Sequence, residues 1–111
     1  MANQEEFKLK SISPLDGRYY DKTSVLADYC SEYALIKYRV ITEVRWLQHL
    51  SNEKVIPELS IKTNSKLIKL LDSFDINDAI KVKNIELQTN HDVKAIEYFL
   101  AQALDDPLIT S

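Results

Sequence analysis

The sequence predicts an all-α fold, and three features carry that expectation. Glycine occurs once and proline three times in 111 residues, well under the usual ~7% and ~5%, which leaves too few turn residues for a sandwich or barrel of short strands. Apolar residues recur at three- and four-residue steps through most of the chain. No segment shows the strict alternation of a half-buried strand.

Taken in order, the first ten residues, MANQEEFKLK, are charged and aperiodic and read as an arm. They lead into SISPLDGRYY, residues 11–20, where Pro14 and Gly17 impose a shaped turn. The expected division is therefore an arm and turn over 1–23 and a helical domain over 24–111. From about 24 to 51 a helical period dominates, with Tyr29, Tyr33, Ile36, Val40, Val44 and Leu47 on one stripe and Tyr38, Ile41 and Leu50 widening it. Lys37, Arg39, Glu43, Arg45 and Gln48 fall mostly on the other side. This is one long helix, or two nearly continuous ones. Pro57 interrupts the pattern. Three shorter helices follow. Asn64 to Phe74 brings Leu67, Leu70, Leu71 and Phe74 to one face. Asn77 to Leu87 buries Ile80, with Val82 and Ile85 as further candidates, behind a cap at Asp75 or Asn77. The last helix carries Val93, Ile96, Phe99, Leu100, Ala103 and Leu104, with Pro107 as its stop signal.

At 45% hydrophobic and 28% charged, the chain suits one compact domain or a piece of a larger one. A net charge of -3 supplies no basic field for nucleic acid or an anionic membrane surface. No apolar run approaches the ~18 residues of a membrane span, and the polar N-terminus has no signal-peptide core. A single cysteine, Cys30, cannot form an internal disulfide and reads as a buried small hydrophobe in a reducing compartment, so a cytoplasmic location is expected. Six Tyr, three Phe and one Trp, several on more than one side of the long helix, call for further surfaces to cover them. More chain, or another subunit, is expected to pack here.

Two stretches carry possible chemistry. In QTNHDVKAIEYF, residues 88–99, Thr89 as N-cap with Asp92 three residues on makes a capping box. That helix start alone would leave His91 as a solvent-exposed first-turn residue. A helix N-terminus also points free N–H groups and partial positive charge outward, which suits a phosphate or carboxylate with Asn90 and His91 as donors beside it. In SPLDGRYYD, residues 13–21, Asp16-Gly17 supplies a bend, and Arg18 either pairs with a surface carboxylate or, with the Tyr19 hydroxyl, reaches an anion bidentately. His49 lies on the solvent side of the long helix. His91, Asp92 and Cys30 lack metal-ligand spacing, so no metal is expected, and one glycine cannot supply a phosphate-cradling loop.

Three stretches together, SPLDGRYYDK at 13–22, SEYALIKYRVITEVRWLQHL at 31–50 and TNHDVKAIEYFL at 89–100, resemble the N-terminal domain of the adenylosuccinate lyases of the fumarase/aspartase superfamily. The resemblance implies a first, small helical domain followed by a central helical bundle and a third helical domain. It implies a homotetramer with each active site built from three subunits, and a cofactor-free β-elimination that releases fumarate from a succinylated purine nucleotide or its ribotide precursor. By the same likeness Arg18 and Tyr19 hold the nucleotide and Asn90, His91 and Asp92 line the substrate site, with His91 as an auxiliary or substrate-orienting catalytic residue. The family's principal acid, a histidine, and its base, a serine on a glycine-rich loop, have no counterparts among these residues. Nor does the TSEDIN-like segment that usually follows, the chain stopping at Ile109-Thr110-Ser111. A fragment without lyase activity of its own is therefore expected. Two other readings stay open: a stand-alone helical interaction module, and a lyase of the same superfamily acting on another succinyl compound such as argininosuccinate.

Overall fold

A computed structural model describes residues 4–104. They form seven α-helices and one 3-10 turn, with no strand among them. The chain forms two compact units that divide between Ala34 and Leu35. The expected stop signal, Pro107, lies outside the described residues.

In the first unit, a helix at Gln4–Lys10 (α1) stands where the aperiodic sequence suggested an arm. It buries none of its residues. Phe7 meets the Tyr20 ring edge-on at 6.4 Å, Lys8 pairs with Asp21 at 3.3 Å, and the Ser11 hydroxyl donates to the Phe7 carbonyl at 2.7 Å. Gly17 is buried beneath it without a positive φ. A Cβ at Gly17 would lie 2.2 Å from the Lys8 carbonyl oxygen, so the glycine serves close backbone approach rather than an unusual dihedral. Short helical pieces follow at Tyr20–Thr23 (α2), Ser24–Leu26 (3-10) and Ala27–Cys30 (α3).

The long helix, Glu32–Asn52 (α4), follows α3 after a single residue, so the expected stretch is built as nearly continuous helices rather than one. Ser31 breaks the path with ψ at 169°, and its hydroxyl oxygen accepts the Ala34 N–H at 3.0 Å. That is an N-cap bond reaching the third helical residue, and apolar spacing carries no trace of it. At the other end the Val55 N–H bonds the Leu50 carbonyl and the Lys54 N–H bonds that of Ser51, with Lys54 at φ 59°. This pairing is a Schellman motif, with lysine where glycine is usual.

In the second unit Ile36, Val40 and Val44 of α4 are buried. So are Leu67 of α5 (Ile61–Ser73), Ala79 and Val82 of α6 (Ile76–Thr89), and Ala95, Ile96, Phe99, Leu100 and Leu104 of α7 (Asp92–Leu104). Phe74, between α5 and α6, meets Phe99 edge-on at 6.0 Å. Ser60 caps α5 through the Thr63 N–H. Asp75 caps α6 with a reciprocal bond from its own N–H to Asp78, a full capping box. Ile80, expected inside, is half exposed while Ala79 beside it is buried. A large side chain suggests burial, but the angular position on α6 favours its small neighbour. Trp46 and Tyr38 of the same unit are also about half exposed.

Candidate functional site

The joint between α6 and α7 is two residues long, Asn90 and His91. Asn90 adopts the left-handed conformation, φ 52° and ψ 33°, and its N–H donates to the Glu86 carbonyl at 2.8 Å. With no glycine available, asparagine is the residue best able to take that conformation. The left-handed step ends α6 and allows α7 to begin at once, which puts a run of polar residues at an exposed helical corner.

The cap of α7 differs from the expected one. Thr89 is the last residue of α6, and the N-cap is His91, whose carbonyl accepts the Ala95 N–H at 3.1 Å and whose Nδ1 accepts the Lys94 N–H at 3.2 Å. Asp92 becomes the first helical residue. The S/T-x-x-D pattern pointed two residues too early because the left-handed Asn90 is invisible to it. Thr89 still contributes: its hydroxyl donates to the His91 carbonyl at 3.1 Å and accepts the His91 N–H at 3.3 Å.

Asp92 is bound on both oxygens. Oδ1 accepts the Val93 N–H at 2.8 Å, and Oδ2 accepts from Arg39 Nη1 of α4, also at 2.8 Å. The Arg39 hydrogen bond first, and the Val93 N–H second, hold this carboxyl below its ordinary value. Lys94 pairs with Glu97 at 3.0 Å, a hydrogen bond that raises the lysine. Beside the ion pair, Leu35, Tyr38, Thr42, Glu43, Val93 and Ile96 line a groove of about 330 Å³ between α4 and α7. Arg39 escaped the sequence reading because it sits on the polar side of α4. Only its fold-dependent meeting with a residue 53 positions later marks it.

In the first unit Arg18 and Tyr19 are exposed neighbours. Arg18 Nη2 donates to the Tyr19 hydroxyl at 2.9 Å, and the guanidinium lies 4.7 Å from the Tyr19 ring centroid. The fork is thus held on an aromatic face, with its remaining N–H groups available to an anion. Cys30, expected to be buried, is exposed. It lies at the end of the one-turn helix α3, which has no buried residue. His49, on the outer side of α4, stacks on Trp46 at 5.7 Å. Among the described residues no group of three His, Cys, Asp or Glu stands close enough to hold a metal ion, and no helix is long and apolar enough to cross a membrane.

Fold and polar corner together define a class: a small all-α domain that offers exposed donors and a paired carboxylate at a helix start. The chain is similar to proteins named adenylosuccinate lyase. It is 46% identical over 95 residues to the adenylosuccinate lyase of Legionella pneumophila strain Corby, covering 83% of this chain and 21% of that protein. It is 47% identical over 97 residues to that of Escherichia coli K12, covering 85% and 21%, and 42% identical over 104 residues to that of Dictyostelium discoideum, covering 90% and 22%. The chain thus spans about a fifth of the length of the relatives it matches. No protein-family model matches it.

Proposed function

We propose that this chain is part of an adenylosuccinate lyase and supplies part of its substrate site. The observation that carries the reading is the 42–47% identity to enzymes of that name along most of the chain. The chemistry of the exposed corner supports it. The reaction is β-elimination of fumarate from adenylosuccinate, giving AMP, and from succinylaminoimidazole carboxamide ribotide, giving its amide. A base removes a proton beside a carboxylate, donors stabilise the carbanion-like intermediate, and an acid protonates the departing amine.

In this reading Arg18 and Tyr19 hold the nucleotide, with the aromatic-backed guanidinium as the phosphate ligand. Asn90, His91 and Asp92 line the site, and His91 orients substrate or stabilises developing charge. The chain belongs to the first helical domain of a longer, homotetrameric, cytoplasmic enzyme that needs no cofactor. The half-exposed Trp46, Tyr38 and Ile68 fit surfaces that further chain would cover. The principal acid and base lie outside these residues, so the 111-residue chain alone has no lyase activity.

The test is fumarate release from adenylosuccinate by the full-length protein, followed by absorbance. Arg18→Ala should raise KM with kcat little changed, since a phosphate grip is used equally in ground and transition states. His91→Ala should depress kcat. An Arg18→Ala enzyme with unaltered KM would sink the phosphate assignment, and a wild-type protein that releases no fumarate would sink the reading itself.

A further inference from the structure

We infer that Arg39 is a positioning residue for His91, and that the ring atom His91 presents to a ligand is Nε2. The inference rests on the reading that this corner faces substrate. His91 is fixed at three points. Its Nδ1 accepts the Lys94 N–H, and its backbone N–H and carbonyl are both engaged by the Thr89 hydroxyl. A nitrogen that accepts a hydrogen bond carries no proton, so the neutral ring holds its proton on Nε2 and can donate only from there. The ring's aim therefore follows the first turn of α7, because the atom it grips is a backbone nitrogen of that turn.

Arg39 holds that turn against α4. Its guanidinium binds Asp92 Oδ2 while Oδ1 is bound to the Val93 N–H, so the carboxylate ties α4 to the backbone beside the histidine. This also changes the part played by Asp92. Each of its oxygens already accepts a bond, and a bare carboxylate would repel an anionic substrate. Paired with Arg39, it anchors the helix start and leaves direct contact to Asn90 and His91. The arginine makes a single N–H contact with Asp92 rather than a fork, a geometry lysine can reproduce.

The experiment uses the full-length protein, with adenylosuccinate as substrate, and measures kcat, KM and Tm for four variants. His91→Asn retains an oxygen able to cap and loses the distal donor. Its Tm should stay within about 2 °C of wild type while kcat falls roughly 100-fold. His91→Gln retains a distal N–H and loses the cap, so it should melt lower yet turn over roughly tenfold faster than the asparagine variant. Arg39→Ala should lower kcat about tenfold with KM within about twofold, and Arg39→Lys should recover most of that loss. A glutamine variant no faster than the asparagine one, or an Arg39→Ala enzyme with wild-type kcat, overturns the inference. If wild type releases no fumarate, the lyase reading fails by itself. The ¹⁵N-histidine spectrum of the full-length protein then decides the positioning: an Nε2–H ring in wild type that becomes a tautomer mixture in Arg39→Ala upholds it, and an Nδ1–H ring overturns it.

Discussion

Replacing Gly17 by alanine adds one carbon, and the geometry sets what that carbon costs. The new Cβ would sit 2.2 Å from the Lys8 carbonyl oxygen and 3.2 Å from its carbon. Both are backbone atoms, which cannot swing aside like a side-chain tip. Either the turn and α1 are compressed against each other, or α1 lifts away. Compression belongs with overpacking, at about 1–3 kcal/mol. Lifting sacrifices what docks α1: the Phe7–Tyr20 edge contact, ~0.5–1.5 kcal/mol, and the Lys8–Asp21 pair, whose Asp21 side chain is 82% exposed and which contributes about 0–1 kcal/mol. The molecule takes the cheaper route, so the loss falls within ~0.5–2.5 kcal/mol. Amide exchange across residues 4–10 should accelerate while that of α5 to α7 stays unchanged. Arg18, one residue on, should lose its fixed aim, and KM in the full-length protein should rise. Gly17→Ala with native exchange in α1 would refute the close-approach account.

Two further expectations concern the backbone and pH. Lys54 and Asn90 hold positive φ without being glycine; Lys54→Gly should raise thermal stability by about 0.5–1 kcal/mol and Asn90→Ala should lower it by roughly 1 kcal/mol, both read from denaturant midpoints. Asp92 titrates below its ordinary value when folded, so its contribution is complete above about pH 4 and is lost as pH falls through the depressed folded value. Asp92→Asn should therefore flatten part of the acid limb of a Tm-against-pH curve and leave the neutral region's slope unchanged. Lys94 is the mirror case: its contribution is complete below about pH 10 and fades as pH rises through the raised value.

The fold class was legible because apolar period and scarce glycine report on the same thing, backbone that closes its hydrogen bonds locally. Ile36, Val40, Val44, Leu67, Phe99 and Leu104 could be placed inside from spacing alone, and all are buried. What spacing could not supply was punctuation. Ser31 interrupts a continuous stripe, α1 forms without any stripe, and the left-handed Asn90 moves the cap from the expected Thr89 to His91. The exposed corner shows the same split. Its residues could be read from TNHD, but the assignment of cap to His91 depends on a dihedral, and the partnership of Asp92 with Arg39 depends on how α4 meets α7.

The double duty of His91 affects how any mutational survey of this protein must be read. One imidazole both closes a helix and faces outward from it, so a substitution there removes a structural bond and a chemical group in the same stroke. Under the proposed lyase reading, a screen scored on abundance would rank the position as a folding residue, while one scored on turnover would rank it as a catalyst. Each would be half right. Only replacements that keep one nitrogen's role and discard the other's can separate the two effects.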